Sequence, residues 1–208
     1  MKAVKALAFL LLVGIGLSAF SQQTPRAEVS GDYSLLIYNP AKNFSGTRYL
    51  SGGGGALVYN FGKYFGVKGE FQGYASTTAQ FTIPAGQVLP QGVYRTQANM
   101  FTYLFGPQIN FVRKPKGKVF GETLFGAAYS NGYANLYQQV GYATGSGSKN
   151  GFAMALGGGF DYGLTKSIAV RIFEVDYFLT RYSIAALGTN NQSNFRYVGG
   201  IVFNLGGK

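Results

Sequence analysis

The chain has 208 residues and a formal net charge of +11, yet only 12% of its residues are charged, against about 25% in an ordinary soluble domain. It contains no cysteine and no histidine, which excludes a disulfide framework and any catalytic site built on a Ser-His or Cys-His pair. These features predict a protein that is not an enzyme and whose surface is covered largely by something other than water.

The N-terminal segment has the layout of a secretory signal peptide. Two lysines precede an apolar run over residues 6–20, and a small-x-small site ends at Ser21. An uncleaved N-terminal anchor is the weaker alternative, because a membrane span needs about 20 apolar residues. We therefore predict a signal peptide at 1–21, cleaved after Ser21, followed by a β-barrel domain at 22–208.

The remaining sequence consists of segments of about ten residues in which apolar and polar side chains alternate, a pattern typical of membrane barrels. Eight such segments lie, in chain order, at about 27–38, 53–61, 65–75, 96–112, 119–130, 151–162, 167–181 and 194–205. Which face of the fourth segment points inward stays open, because aromatic and polar residues occupy the same set of alternate positions. In the seventh, the spacing of Arg171 and Glu174 breaks the alternation, which predicts a β-bulge between them.

The connections between these segments alternate in length. Long ones lie at 39–52, 76–95, 131–150 and 182–193, and short ones at 62–64, 113–118 and 163–166. Outer-membrane barrels have long extracellular loops and short periplasmic turns. The sequence therefore predicts an all-β fold, an eight-stranded antiparallel up-and-down transmembrane β-barrel with both termini in the periplasm.

All seven acidic residues of the chain fall inside these segments. The interior of an eight-stranded barrel is filled by side chains, and buried charges must be paired and hydrogen-bonded. We predict a structural charge network in the lumen, made of Glu28, Asp32, Lys68, Glu70, Glu122, Asp161, Arg171, Glu174, Asp176 and Arg196. A functional polar site or a proton path is the rival interpretation of the same residues.

No motif for catalysis or for ligand chemistry emerges. The glycine runs at 52–55 and 157–159 do not fit a dinucleotide-binding pattern, and the Gly-rich segment before Lys149 has the wrong spacing for a phosphate loop. Glu174 and Asp176 could in principle divide acid and base roles, but residues two apart share a strand face by default. We predict no catalytic residues, no cofactor and no metal ion.

Aromatic residues gather near the three short connections, where an interfacial girdle is expected. They are Phe61, Tyr64, Phe65, Phe111, Phe120, Phe160 and Tyr162. Because the chain is predicted to be exported, its basic character favours anionic lipid head groups over nucleic acid as the counterpart. We expect outer-membrane lipid and lipopolysaccharide as partners, no nucleic acid, and a monomer.

Two segments carry a family resemblance: Ala153-x-Ala-x-Gly-Gly-Gly159-x-Asp161-Tyr162 and the last strand, Phe195 to Leu205. From about Ala27 onward the chain resembles the OmpA-like and OmpX-like small β-barrel domains. That resemblance implies a porin-like barrel in the bacterial outer membrane that meets the barrel insertion machinery during assembly. The chain departs from it by ending on Gly-Gly-Lys instead of a terminal aromatic residue. We expect no peptidoglycan-binding domain.

The function predicted from these observations is a structural or surface-interaction role with a plugged polar lumen. Two alternatives stay open: a small passive pore for solutes, and a soluble, lipocalin-like binding barrel. Tightly paired interior charges would argue against the pore, and dependence on detergent would argue against the soluble barrel.

Overall fold

The computed structural model describes residues 24–39, 48–83, 85, 91–114, 116–131, 150–184 and 188–206. Within these ranges the chain forms eight strands: β1 (Ala27–Tyr38), β2 (Arg48–Asn60), β3 (Phe65–Ile83), β4 (Gly92–Lys114), β5 (Gly117–Ser130), β6 (Asn150–Gly163), β7 (Ile168–Ile184) and β8 (Gly188–Leu205). They close in chain order into an antiparallel barrel in which β1 pairs with β8. The predicted fold class is confirmed. Among the described residues, no helix is long and apolar enough to cross a membrane.

The alternation in the sequence becomes the two faces of the barrel wall. Along β1, buried and more exposed residues alternate without interruption. Glu28 and Asp32 point inward and are buried, whereas Tyr33 points outward with 62% of its surface exposed. Because successive side chains of a strand point to opposite faces, the barrel has a polar interior and an apolar exterior, as a membrane requires.

Several strands extend further toward the long connections than the alternation predicts. β2 begins at Arg48 instead of about 53, β8 begins at Gly188 instead of about 194, and the predicted loop at 76–95 is largely an extension of the β3–β4 hairpin. Backbone hydrogen bonds hold these extensions together. Outside a membrane the outward face need not be apolar, so the ladder continues where the sequence pattern has faded.

Bulges correct the register where the alternation breaks. The predicted bulge between Arg171 and Glu174 is confirmed by a register shift at that point of the β7–β8 pair. It leaves Ile172 and Phe173 exposed and turns both charged residues inward. In β4, the even-numbered residues from Met100 to Asn110 face the interior, which settles the facing that the sequence left open. Another register shift follows Asn110 in the β4–β5 pair.

The aromatic residues near the short turns lie on the outside, with one exception. Phe61, Tyr64, Phe65, Phe111 and Tyr162 are exposed, and Phe160 is half-buried. The assignment of Phe120 to a girdle is wrong, because this ring is 2% exposed inside the lumen. Its parity matches that of Lys118 and Glu122, and the charged ends of Lys118 and Arg171 each lie 5.0 Å from the ring centroid. The ring is therefore part of the charged interior.

Candidate functional site

All ten residues that the sequence assigned to the lumen lie on the inward face of the wall. None is more than 7% exposed. Together with Arg113 and Lys118 they form a continuous set of ion pairs. We call these twelve residues the charge network. Every acidic side chain of the sequence belongs to it.

Lys68 lies at the centre of the charge network. Its ammonium nitrogen is 2.8 Å from Glu122 Oε1, 3.0 Å from Glu174 Oε2 and 3.1 Å from Glu70 Oε2. These three carboxylates each offer an oxygen within 4.8 Å of the others, a spacing that a metal ion could bridge. The ammonium group of Lys68 already fills that position, so the protein supplies its own cation there.

Arg196 crosslinks the same cluster from the opposite side. Its guanidinium group donates to both carboxylate oxygens of Glu70 and lies 2.7 Å from Asp176 Oδ2 and 3.4 Å from Glu174 Oε1. The two-pronged contact with Glu70 uses the fixed fork of arginine, which gives both energy and geometric specificity. The guanidinium carbon is also 5.7 Å from the centroid of the Phe178 ring.

A second cluster continues the charge network toward the short turns. Arg171 Nη1 is 2.8 Å from Glu174 Oε2, and Arg171 Nε donates to Asp161 Oδ1 over 2.9 Å. Lys118 Nζ is 2.9 Å from Asp161 Oδ2 and also binds Glu28. Arg113 donates to Glu28 from the other side. The two clusters share Glu174 and form one chain of contacts.

Arg113 and Lys118 are the two members that the sequence argument missed, because it placed both in the short connection at 113–118. The charge balance of the predicted set could have revealed them. It holds seven carboxylates against three cations, which indicates that further cations face the lumen. Lys118 has the parity of Glu122. The shift after Asn110 turns the side chain of Arg113 inward, where it is only 10% exposed.

Glycines make room for the charged side chains. A Cβ atom at Gly157 would lie 2.2 Å from Asp176 Oδ1, and one at Gly200 would lie 2.4 Å from Asp32 Oδ1. Both glycines face the lumen on the strand next to the carboxylate concerned. A backbone carbonyl of the adjacent strand is as close, with Val175 O 2.1 Å from the Cβ at Gly157 and Gly31 O 2.4 Å from that at Gly200. The close approach of the neighbouring strand therefore requires glycine, and no phosphate-binding role is needed to explain the glycine run at 157–159.

The lumen changes character toward the long connections. Leu36, Tyr74, Met100, Leu124, Phe178 and Tyr182 are buried there, each 2% exposed or less. We call these six residues the loop-side layer. Its polar contacts include two hydrogen bonds between side chains of different strands: the hydroxyls of Tyr74 and Ser34 are 2.9 Å apart, and the Tyr182 hydroxyl donates to Met100 Sδ over 3.6 Å. Apolar contact is therefore prominent in this part of the barrel, beside a hydrogen-bonded group of uncharged side chains, Thr180, Gln192 and Asn194.

The acid pair that the sequence raised as a catalytic possibility is engaged elsewhere. Glu174 contacts Lys68 and Arg171, and Asp176 binds Arg196. Both carboxylates have 0% exposed side chains. A substrate has no access to either group, so their arrangement fits a structural role.

Residues 7–207 match the family described as outer membrane protein beta-barrel domain. The chain belongs to this family. It is an outer-membrane β-barrel, and its apolar exterior with exposed Phe71, Phe105 and Tyr197 fits a bilayer. The soluble, lipocalin-like alternative is wrong, since it requires a polar exterior. The predicted signal peptide at 1–21 lies outside the described residues.

Solved structures show the same fold at low sequence identity. The chain is similar to the outer membrane protein OprG from Pseudomonas aeruginosa, with 13% identity, a TM-score of 0.57, and coverage of 88% of this chain and 97% of that one. It is also similar to Neisserial surface protein A, with 10% identity, a TM-score of 0.55, and coverage of 86% and 97%. At these identities the likeness concerns the fold alone. A comparison with curated protein sequences finds no match.

Proposed function

We propose that this outer-membrane β-barrel is a closed scaffold that conducts no solutes, catalyses no reaction and acts through the longer connections that it holds at the cell surface. One observation carries the proposal: two successive barriers fill the lumen. Lys68 and Arg196 of the charge network and Phe178 of the loop-side layer are all fully buried. Removing a charge from such a network is costly, so a solute would not displace its members readily.

The proposal includes the environment in which the scaffold works. The signal peptide is removed after Ser21, and the mature domain reaches the membrane through the barrel insertion machinery. The protein is a monomer, binds no nucleic acid, and contacts membrane lipid and lipopolysaccharide with its exterior. The exposed apolar residues, among them Phe101, Phe125 and Phe195, support the lipid contact.

Conductance across a planar lipid bilayer tests the closed lumen. We expect the refolded wild-type protein to insert without current steps, while a known open porin in the same chamber conducts. Discrete current steps from the wild-type protein would contradict the proposal.

A small passive pore is the second candidate, because some buried polar atoms in the lumen lack a partner. Among the described residues, both amide atoms of Gln72, Thr102 Oγ1 and Gln108 Oε1 have no hydrogen-bond partner. Buried polar groups of this kind are commonly satisfied by internal water. If the water forms a continuous column, the same bilayer experiment will show steps.

Protease treatment of intact cells tests the surface display. Trypsin is expected to cut after Lys149, in the long connection that precedes β6, because long connections of such barrels face the medium. Lys116, in the short β4–β5 turn, is expected to be protected until the outer membrane is opened. Cleavage at the short turn in intact cells would invert the orientation.

A further inference from the structure

A cavity of about 1030 Å³ lies at the end of the barrel where the short turns meet. The cavity is lined by all three short turns and by the residues that precede β1. Two carboxylates of the charge network, Glu28 and Asp161, also line it. We call this cavity the turn-side mouth. In outer-membrane barrels the short turns face the periplasm, so the mouth opens toward that compartment.

The turn-side mouth is strongly basic. Four lysines line it from the three turns: Lys63, Lys114, Lys116 and Lys166. Its two carboxylates are already engaged, since Glu28 binds Arg113 and Lys118, and Asp161 binds Lys118 and Arg171.

The remaining five acidic residues of the sequence are held deeper in the charge network. Among the described residues, no carboxylate lies within 4.0 Å of the ammonium groups of these four lysines. The charge network engages every acidic side chain of the chain, so none of them is left to balance the four lysines of the mouth.

A second observation points to a ligand at the same place. Arg113 lines the turn-side mouth, and its side chain is only 10% exposed. One of its terminal nitrogens donates to Glu28, but its buried Nε has no hydrogen-bond partner among the described residues. A buried donor without an acceptor costs free energy that an anionic oxygen could recover.

We propose that the turn-side mouth binds a multivalent phosphate-bearing anion. Phosphate oxygens accept charge-assisted hydrogen bonds from several ammonium groups at once. The cavity opens on the compartment where both free phosphate esters and the phosphate head groups of inner-leaflet phospholipids are present. The four lysines supply the positive field and Arg113 supplies a buried donor, so the site prefers ligands with more than one negative charge.

Inorganic triphosphate serves as the probe, measured by isothermal titration calorimetry at low salt with the folded protein in a zwitterionic detergent. The test variant is Lys63→Gln/Lys114→Gln/Lys166→Gln. The matched control is Arg48→Gln/Arg95→Gln/Arg181→Gln, which removes the same charge near the opposite ends of β2, β4 and β7. We expect the Kd of the test variant to rise about tenfold, since three exposed charges contribute modestly each, and the control to keep the wild-type Kd.

Two results would overturn the proposal. Triphosphate that fails to bind the wild-type protein would show that the mouth is no anion site. Equal weakening in the test variant and the control would show that net charge alone attracts the probe. Electron microscopy or gel mobility of each variant confirms that the barrel is folded before its Kd is used.

The source of the phosphate is then assigned with lipid nanodiscs. Triphosphate affinity is compared between discs of phosphatidylcholine alone and discs that also contain phosphatidylglycerol. A lower wild-type affinity in the phosphatidylglycerol discs, together with no difference between the two discs for the Lys63→Gln/Lys114→Gln/Lys166→Gln variant, assigns the site to a lipid head group. Equal affinity in both discs assigns it to a soluble anion.

Discussion

The charge network and the loop-side layer occupy the same lumen, and both are almost completely buried, yet they are held together in different ways. On β3, Lys68 and Glu70 precede Tyr74, and on β7, Arg171 and Glu174 precede Phe178. The charged residues thus lie toward the short turns and the apolar ones toward the long connections. Inward parity sets which residues are buried, and the charged ones among them concentrate near the short turns, whereas Gln72, Thr102 and Thr180 are uncharged polar residues beside the loop-side layer.

This difference has energetic consequences. A side chain of the charge network depends on partners of opposite charge, and losing one partner leaves a buried charge uncompensated. A side chain of the loop-side layer depends on volume, so its loss costs transfer free energy and leaves a cavity. A second mutation should therefore restore stability in a different way in each region. In the charge network it should neutralise the charge that has lost its partner, and in the loop-side layer it should restore the lost side-chain volume.

The largest effect is expected at Lys68. Lys68→Met leaves Glu70, Glu122 and Glu174 crowded without their central cation, and should lower the free energy of unfolding by about 3–5 kcal/mol. Among the described residues, Glu122 forms an ion pair only with Lys68. Glu70 and Glu174 each pair with an arginine as well. Lys68→Met/Glu122→Gln should therefore regain much of the loss. Urea unfolding in detergent, read by gel mobility, measures both variants, and a double variant weaker than Lys68→Met would contradict the account.

A loss of similar or smaller size is expected in the loop-side layer at Leu124, which is 0% exposed. Leu124→Ala should cost about 2–5 kcal/mol, because it opens a cavity in a packed layer. Leu124→Met keeps the volume and should cost less than about 1.5 kcal/mol. The same urea titration compares the two. Equal losses for alanine and methionine would show that this layer is not held by packing.

The smallest effect is expected for Tyr182→Phe. This change removes only the hydroxyl that donates to Met100 Sδ over 3.6 Å, and sulfur is a weak acceptor. The free energy of unfolding should change by about 1 kcal/mol or less. A loss as large as that of Lys68→Met would place Tyr182 in a polar network and remove the distinction between the two regions.

Side-chain alternation was sufficient to predict the barrel and the facing of most strands. The parity of Phe65 and Val67 against Lys68 and Glu70 is readable without a structure, and so is the break at Arg171. These features follow from the period of two residues in a strand. For the same reason, the alternation identifies the acidic residues that the structure buries.

Strand ends and partners could not be predicted in this way. Arg113 joins the charge network only because a register shift follows Asn110, and no local pattern in the sequence marks that shift. Phe120 was misplaced because proximity to a turn was given more weight than its parity. The pairing of Glu70 with Arg196 joins residues 126 positions apart, which only closure of the barrel brings together.

The central claim is that paired buried charges hold the turn-side lumen closed, and a double-mutant cycle on Glu70 and Arg196 tests it most directly. Urea unfolding is measured for Glu70→Ala, Arg196→Ala and the double variant, with Lys149→Ala as the control outside the network. Each single variant should lose about 3–5 kcal/mol, and the double variant should lose less than the sum of the two. Lys149→Ala should change stability by about 0–1 kcal/mol, because the sequence predicts a loop there and exposed charges contribute little. If both single variants unfold at the same urea concentration as Lys149→Ala, the lumen is wet, and the small pore should replace the closed scaffold.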